Sequence, residues 1–127
     1  MFAVDLVQQA VALVDDKGPA ALRTLQSRTS GFSFQDYYVF MFDEDGIERV
    51  NPAQPELVGH SVLNIKGADG KVASREMMNM LETQDAGWVD YMWAKPGTTR
   101  QVRKSSYVTK TRLGDKTVYV GCGVYLD

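Results

Sequence analysis

The run Tyr37-Tyr38-Val39-Phe40-Met41-Phe42 restricts what this chain can fold into more than any other stretch. Side chains alternate across a strand, so Tyr38, Phe40 and Phe42 share one face while Tyr37, Val39 and Met41 share the other. Both faces are apolar, which predicts a strand buried on both sides and a sheet that needs a cover on each face. The chain supplies two covers. In residues 3–16 the spacing of Val4, Val7, Val11 and Val14, widened by Leu6 and Leu13, predicts an amphipathic helix. Lys17-Gly18 interrupts it, and Pro19 stands where a first helical turn accepts proline. Ala20 to Arg28 then continues as a second helix or a bent extension, closed by Thr29-Ser30-Gly31. The other cover is a loop from Asn51 to Gly70, where Pro52 and Pro55 leave the sheet, followed by a helix over Val72 to Gln84 with Ala73, Met77, Met80 and Leu81 on one side.

The remaining segments read as strands. Asp43-Glu44-Asp45-Gly46 turns the doubly apolar strand back into a short one, Ile47 to Asn51. Its Asp43, Asp45 and Gly46 spacing echoes a calcium loop but lacks the later ligands and the terminal glutamate, so a hairpin turn is the reading. Gly87 to Val108 forms two strands about a Pro96-Gly97-Thr98-Thr99 turn, and Leu113-Gly114-Asp115 leads into a last strand, Thr117 to Leu126. The order predicts an α+β domain: N-terminal helix packed on a five-stranded antiparallel sheet, with a small cavity between the sheet and its second cover.

With 127 residues and 44% hydrophobic content, the chain fills one core and one domain, with residues 1–30 as the helical segment and 36–127 as the sheet and its cover. A net charge of -2 with scattered basic residues gives no nucleic-acid footprint. The apolar runs fall short of the roughly 20 residues of a membrane span, and no signal-peptide pattern opens the chain. Cys122 is single and alternates with valines and glycines, which predicts a buried structural thiol; His60 alone builds no metal cluster, and no cofactor motif is present.

The hairpin holds the one internal cation among aromatics. Val89, Tyr91 and Trp93 share a face opposite Trp88, Asp90 and Met92; Lys104 and Ser106 share a face, and Tyr107 takes the other. A buried ammonium without a partner costs several kcal/mol, so Lys104 is either an anion seat or a structural partner of Asp90 or Asp43. In the last strand Gly121 and Gly123 lie on one face with Tyr119 and Tyr125, which marks a close approach to the backbone, by a ligand or by a neighbouring side chain.

Asp36-Tyr37-Tyr38-Val39-Phe40-Met41-Phe42-Asp43 with Asp45-Gly46, then Asn51-Pro52, Pro55-Glu56-Leu57-Val58-Gly59, Gly87-Trp88-Val89-Asp90-Tyr91-Met92-Trp93, Lys104-Ser105-Ser106-Tyr107-Val108 and Gly121-Cys122-Gly123-Val124-Tyr125 resemble, in that order, the single Cache domain, the PAS-like extracytoplasmic sensor of bacterial chemoreceptors and sensor kinases. The resemblance implies a pocket on the sheet face away from the N-terminal helix, a small organic acid such as acetate, propionate, lactate or pyruvate as ligand, no catalysis, and a periplasmic setting. Any membrane attachment then runs through a segment absent from this chain. Asn51-Pro52 replaces the family's frequent His-Pro, and Phe40 stands where several relatives carry Trp. In such a pocket Lys104 is the charge partner, Tyr38 and Tyr91 are donors or walls, Phe40 and Trp93 shape the apolar end, Asn51 adds an amide, and Gly121 and Gly123 leave room. Tyr38 and Phe40 read equally as core, and Trp93 as a rim residue. The expected partners are a small carboxylate and a second copy of the chain through the N-terminal helices. A ligand-free structural module and a small enzyme, with Asp90, His60 and a serine convergent in one cleft, are the rival readings.

Overall fold

The computed structural model describes residues 1–126. Helix α1 (Phe2–Lys17) ends at Gly18, whose φ of 60° suits glycine, and a 3-10 turn carries the chain through Pro19 into α2 (Ala21–Gln26). The strands are β1 (Ser33–Phe34), β2 (Tyr37–Asp43), β3 (Glu48–Val50), β4 (Ala86–Ala94), β5 (Gln101–Leu113) and β6 (Lys116–Tyr125), with α3 (Ala73–Met80) between β3 and β4. They form a six-stranded antiparallel sheet in the order β1-β2-β6-β5-β4, with β3 also paired to β2. One strand therefore joins the five expected, the two-residue β1, and α3 is shorter than the Val72–Gln84 span.

Strand β2 is interior, bonded to β6 on one side and to β1 and β3 on the other, so both of its apolar faces are covered. Val39 and Met41 join Val118, Val120 and Cys122 under α1. Tyr38, Phe40 and Phe42 lie on the opposite face with Val89, Tyr91 and Val108, beneath Val62, Ala73, Met77 and Leu81 of the second cover. Burying each large apolar side chain contributes about 1.5–3 kcal/mol, which fixes both covers against the sheet.

The helix stripe is rotated from its expected position. Ala3, Leu6, Val7, Ala10 and Val14 are buried, while Val4, Val11 and Leu13 are only half-buried. The alanines let the helix backbone approach the sheet, and the valines flank the seam. Cys122 is buried, as expected, and burial pushes its thiol up to about 11.

Candidate functional site

The β4–β5 hairpin sets the site. Its register places Tyr91 opposite Lys104 and Val89 opposite Ser106. On the other side of β5, Lys104 faces Tyr125 and Ser106 faces Gly123. Glycine is required there because a Cβ on Gly123 would stand 2.3 Å from Lys104 Cε and 2.5 Å from Ser106 Oγ. One strand further, Phe40 faces Gly121, whose added Cβ would lie 2.3 Å from the Phe40 ring. The close approach expected at these glycines is thus made by side chains of the neighbouring strands, and both glycines stand behind the cavity instead of lining it.

Lys104 lies across this floor, 1% exposed. Its Nζ sits 4.4 Å from the Tyr38 ring centroid, 5.0 Å from Tyr125, 5.2 Å from Phe40 and 5.6 Å from Tyr91, inside the range where ring faces attract a cation. It donates to Tyr38 Oη at 3.0 Å. Tyr125 gives its own proton to the Ala94 carbonyl at 2.8 Å, so the 3.3 Å contact between the two tyrosine hydroxyls is donated by Tyr38. The Tyr38 hydroxyl proton is therefore committed to Tyr125, which makes Tyr38 a wall and an acceptor for Lys104 but not a donor to a ligand. Tyr91 shares a 2.8 Å hydrogen bond with Ser106 Oγ, and Trp93 is pinned to the covering loop by a 2.9 Å bond from its Nε1 to Gln54 Oε1. Tyr107 packs on the other face against Trp88, as the alternation predicts.

Neither proposed partner of Lys104 reaches it: Asp43 binds Arg49 Nε at 2.8 Å, and Asp90 is exposed on the outer face. The acidic group in the site is Glu48, which sequence reasoning missed. Met41 pairs with Val50 and Phe42 with Glu48, so β3 carries one extra residue, Arg49, against β2. This bulge sends Val50 to the helix side with Met41 and Glu48 to the cavity side with Phe42, where strict alternation would have put both on one face. The one available signal was an acid lodged between Ile47 and Val50 in a short return strand. Asn51 Nδ2 donates to Glu48 Oε2 at 3.0 Å while Asn51 Oδ1 accepts from the Gln54 backbone N–H at 2.9 Å, so the Asn51 amide orients the acid. Gln26 in turn clamps the Asn51 backbone, donating to its carbonyl at 2.9 Å and accepting from its N–H at 2.7 Å.

Tyr38, Phe40, Asn51, Tyr91, Trp93 and Lys104 line one cavity of about 40 Å³, together with Phe42, Glu48, Val62, Ile65, Ala73, Ser74 and Met77. At roughly 10–15 Å³ per water-sized sphere, that space takes about three such spheres. Desolvation dominates its electrostatics. Burial brings the Lys104 ammonium down to about 7, against the opposing influence of Cys122 and Glu48, and pushes the Glu48 carboxyl up to about 7, against the Asn51 hydrogen bond and the Lys104 charge. Among the described residues, no carboxylate forms an ion pair with Lys104, and no group of three His, Cys, Asp or Glu side chains is placed to hold a metal.

The family model described as single Cache domain 2 matches residues 8–127. The chain belongs to this Cache family. It is 33% identical over 101 residues to the methyl-accepting chemotaxis protein McpP of Pseudomonas putida, covering 79% of this chain and 18% of that protein. It is 35% identical over 94 residues to the sensor histidine kinase MctS of Rhizobium johnstonii, covering 73% of this chain and 20% of that protein. The Cache chain therefore matches about one fifth of the length of either relative. A solved structure described as the basis for carboxylic acid recognition by a Cache chemosensory domain matches with a TM-score of 0.84 and 26% identity, over 98% of this chain and 91% of that one. Among the described residues, no helix is long and apolar enough to cross a membrane.

Proposed function

We propose that this Cache domain is the ligand-sensing part of a bacterial signalling protein and that its ligand is a short monocarboxylate of the acetate, propionate, lactate or pyruvate class. The observation that carries this reading is Lys104, a buried ammonium with no ion-pair partner among the described residues, set in an aromatic cage beside a small cavity. Lys104 Nζ has three N–H groups and gives one to Tyr38, which leaves two for the oxygens of a carboxylate. Phe40, Trp93, Val62, Ile65 and Met77 offer a wall for a short alkyl tail, and about 40 Å³ suits a small ligand over a large one. The structural neighbour described as recognising carboxylic acids supports the same class.

Cache domains are periplasmic sensor domains, and we place this one on that side of the membrane. The rest of a receptor or kinase would receive the signal, with a dimer through α1 as the proposed route. No catalysis is proposed: His60 and Asp90, the groups an enzymatic reading would bring together, are both exposed, and neither lines the cavity. A ligand-free module calls for a filled sheet face, and the cavity beside Lys104 argues against it. The test is a thermal-shift and calorimetric screen of acetate, propionate, lactate and pyruvate on the wild type and on Lys104→Met. Stabilisation of the wild type alone is expected. Equal stabilisation of both proteins, or a response only to cationic ligands, overturns the reading.

A further inference from the structure

Glu48 has no part in the carboxylate reading above, yet it faces the same cavity as Lys104 and is 4% exposed. Its Oε2 accepts from Asn51, and among the described residues Oε1 makes no hydrogen bond. No buried polar side-chain atom of the described residues lacks a partner, so that second oxygen is reached from the cavity. The other titratable groups around it are Lys104 on β5, Tyr38 on β2 and Tyr91 on β4, with Tyr125 of β6 against Tyr38 and Lys104, and Cys122 of β6 beside Lys104 on the far side of the sheet. The cover contributes Val62, Ile65, Ala73, Ser74 and Met77, none of which ionises.

Charge balance then constrains what binds. With one proton between them, Lys104 and Glu48 form a site of zero net charge, either as ammonium and carboxylate or as amine and carboxyl. Adding an anion alone leaves one uncompensated negative charge in a desolvated cavity, and two carboxylates sharing such a site cannot both stay ionised. Adding the anion together with a proton keeps the site neutral. Resting on the carboxylate reading above, we propose that Glu48 binds the ligand as a neutral carboxyl. The ligand carboxylate sits between the Lys104 ammonium and the Glu48 O–H, so that each binding event takes up one proton from solvent. No bond of the ligand breaks; the incoming proton completes the pair of one ammonium and one carboxylic acid. Tyr38, whose proton is committed to Tyr125, does not replace this donor. The site would accordingly select monocarboxylates, since a second carboxylate has no cation left. It would bind them more tightly as the medium acidifies from alkaline pH through neutrality, levelling off once the free site holds both protons.

Titration calorimetry of the wild-type domain with acetate and propionate, in buffers of different ionisation heat, counts the protons. The expected result is uptake of about one proton near neutral pH, rising toward about two at more alkaline pH, where the free site has also lost the Lys104 proton. Affinity should then fall by about tenfold per pH unit near neutrality and more steeply above it. Infrared difference spectra with carboxyl-¹³C propionate supply the second readout. A protonated carboxylic C=O stretch should appear on binding, should not shift with the ligand label, and should be missing in Glu48→Gln. Zero proton uptake, or binding without that band, overturns the role of Glu48 and leaves the carboxylate reading standing. Preferential binding of glycine with Glu48 ionised also overturns it, by assigning the site to a zwitterion. No heat with any of these acids at any pH overturns both.

Discussion

In the empty domain Glu48 and Lys104 should give folding stability a minimum near neutral pH. Burial moves Glu48 from its ordinary 4.5 up to about 7, so between those values the folded chain holds a proton that the unfolded chain has lost. Stability contributed by this group is present below the unfolded value and is lost as pH rises toward 7. Lys104 moves from 10.5 down to about 7, so between 7 and 10.5 the unfolded chain holds a proton that the folded chain lacks. Stability therefore recovers as pH rises through that window. At about 1.4 kcal/mol for each pH unit separating the folded from the unfolded value, the acid limb amounts to about 3 kcal/mol and the alkaline limb to about 5 kcal/mol. Urea denaturation followed by circular dichroism, stepped from about pH 5 to about pH 10, measures both limbs, and variants isolate them because groups common to all three proteins cancel. Lys104→Met should lack the alkaline rise and be more stable than wild type near neutral pH by about 1–4 kcal/mol, since an unpaired buried cation is replaced by an apolar chain of similar length. Glu48→Gln should lack the acid fall. Propionate at about a hundred times its Kd should raise the wild-type minimum by about 2.7 kcal/mol. A wild-type curve that runs parallel to Lys104→Met across the alkaline range would refute the reasoning, because Lys104 would then not be desolvated.

Other consequences are more local. Gly121→Ala drives a methyl group into the Phe40 ring, and a loss of about 1–3 kcal/mol is expected in chemical denaturation, with weakened ligand binding as the ring moves into the cavity. Gln26→Ala removes both bonds to the Asn51 backbone and leaves a buried N–H and C=O short of partners; a loss of about 1–3 kcal/mol should appear as a lower thermal midpoint, with Glu48 less well oriented by Asn51. Native Cys122, buried and with its thiol pushed up to about 11, should react with a thiol reagent only at the rate of unfolding, while the denatured chain reacts at once.

Much of this architecture was written in local pattern. The doubly apolar Tyr37–Phe42 run called for a strand covered on both faces, and β2 is interior with α1 on one side and the loop and α3 on the other. Alternation gave the faces of Tyr38 and Phe40 in β2, of Tyr91 and Trp93 in β4, of Lys104 and Ser106 in β5 and of the glycines in β6, because the pleat has a period of two wherever pairing is regular. Six of the eight candidate site residues line the cavity, Tyr38, Phe40, Tyr91, Trp93 and Lys104 by that alternation and Asn51 past the bulge, directly after β3. Tertiary structure decided what local pattern does not encode. Register set Tyr91 opposite Lys104 and the two glycines behind Lys104 and Phe40, turning an expected opening into tight packing. The hydroxyl chain from Lys104 through Tyr38 to Tyr125 depends on three strands meeting, and it takes from Tyr38 the donor role its residue type suggested. Above all, one extra residue at Arg49 bulges β3 and turns Glu48 into the cavity. A period of two fails at a bulge, and a bulge exists only once two strands have paired.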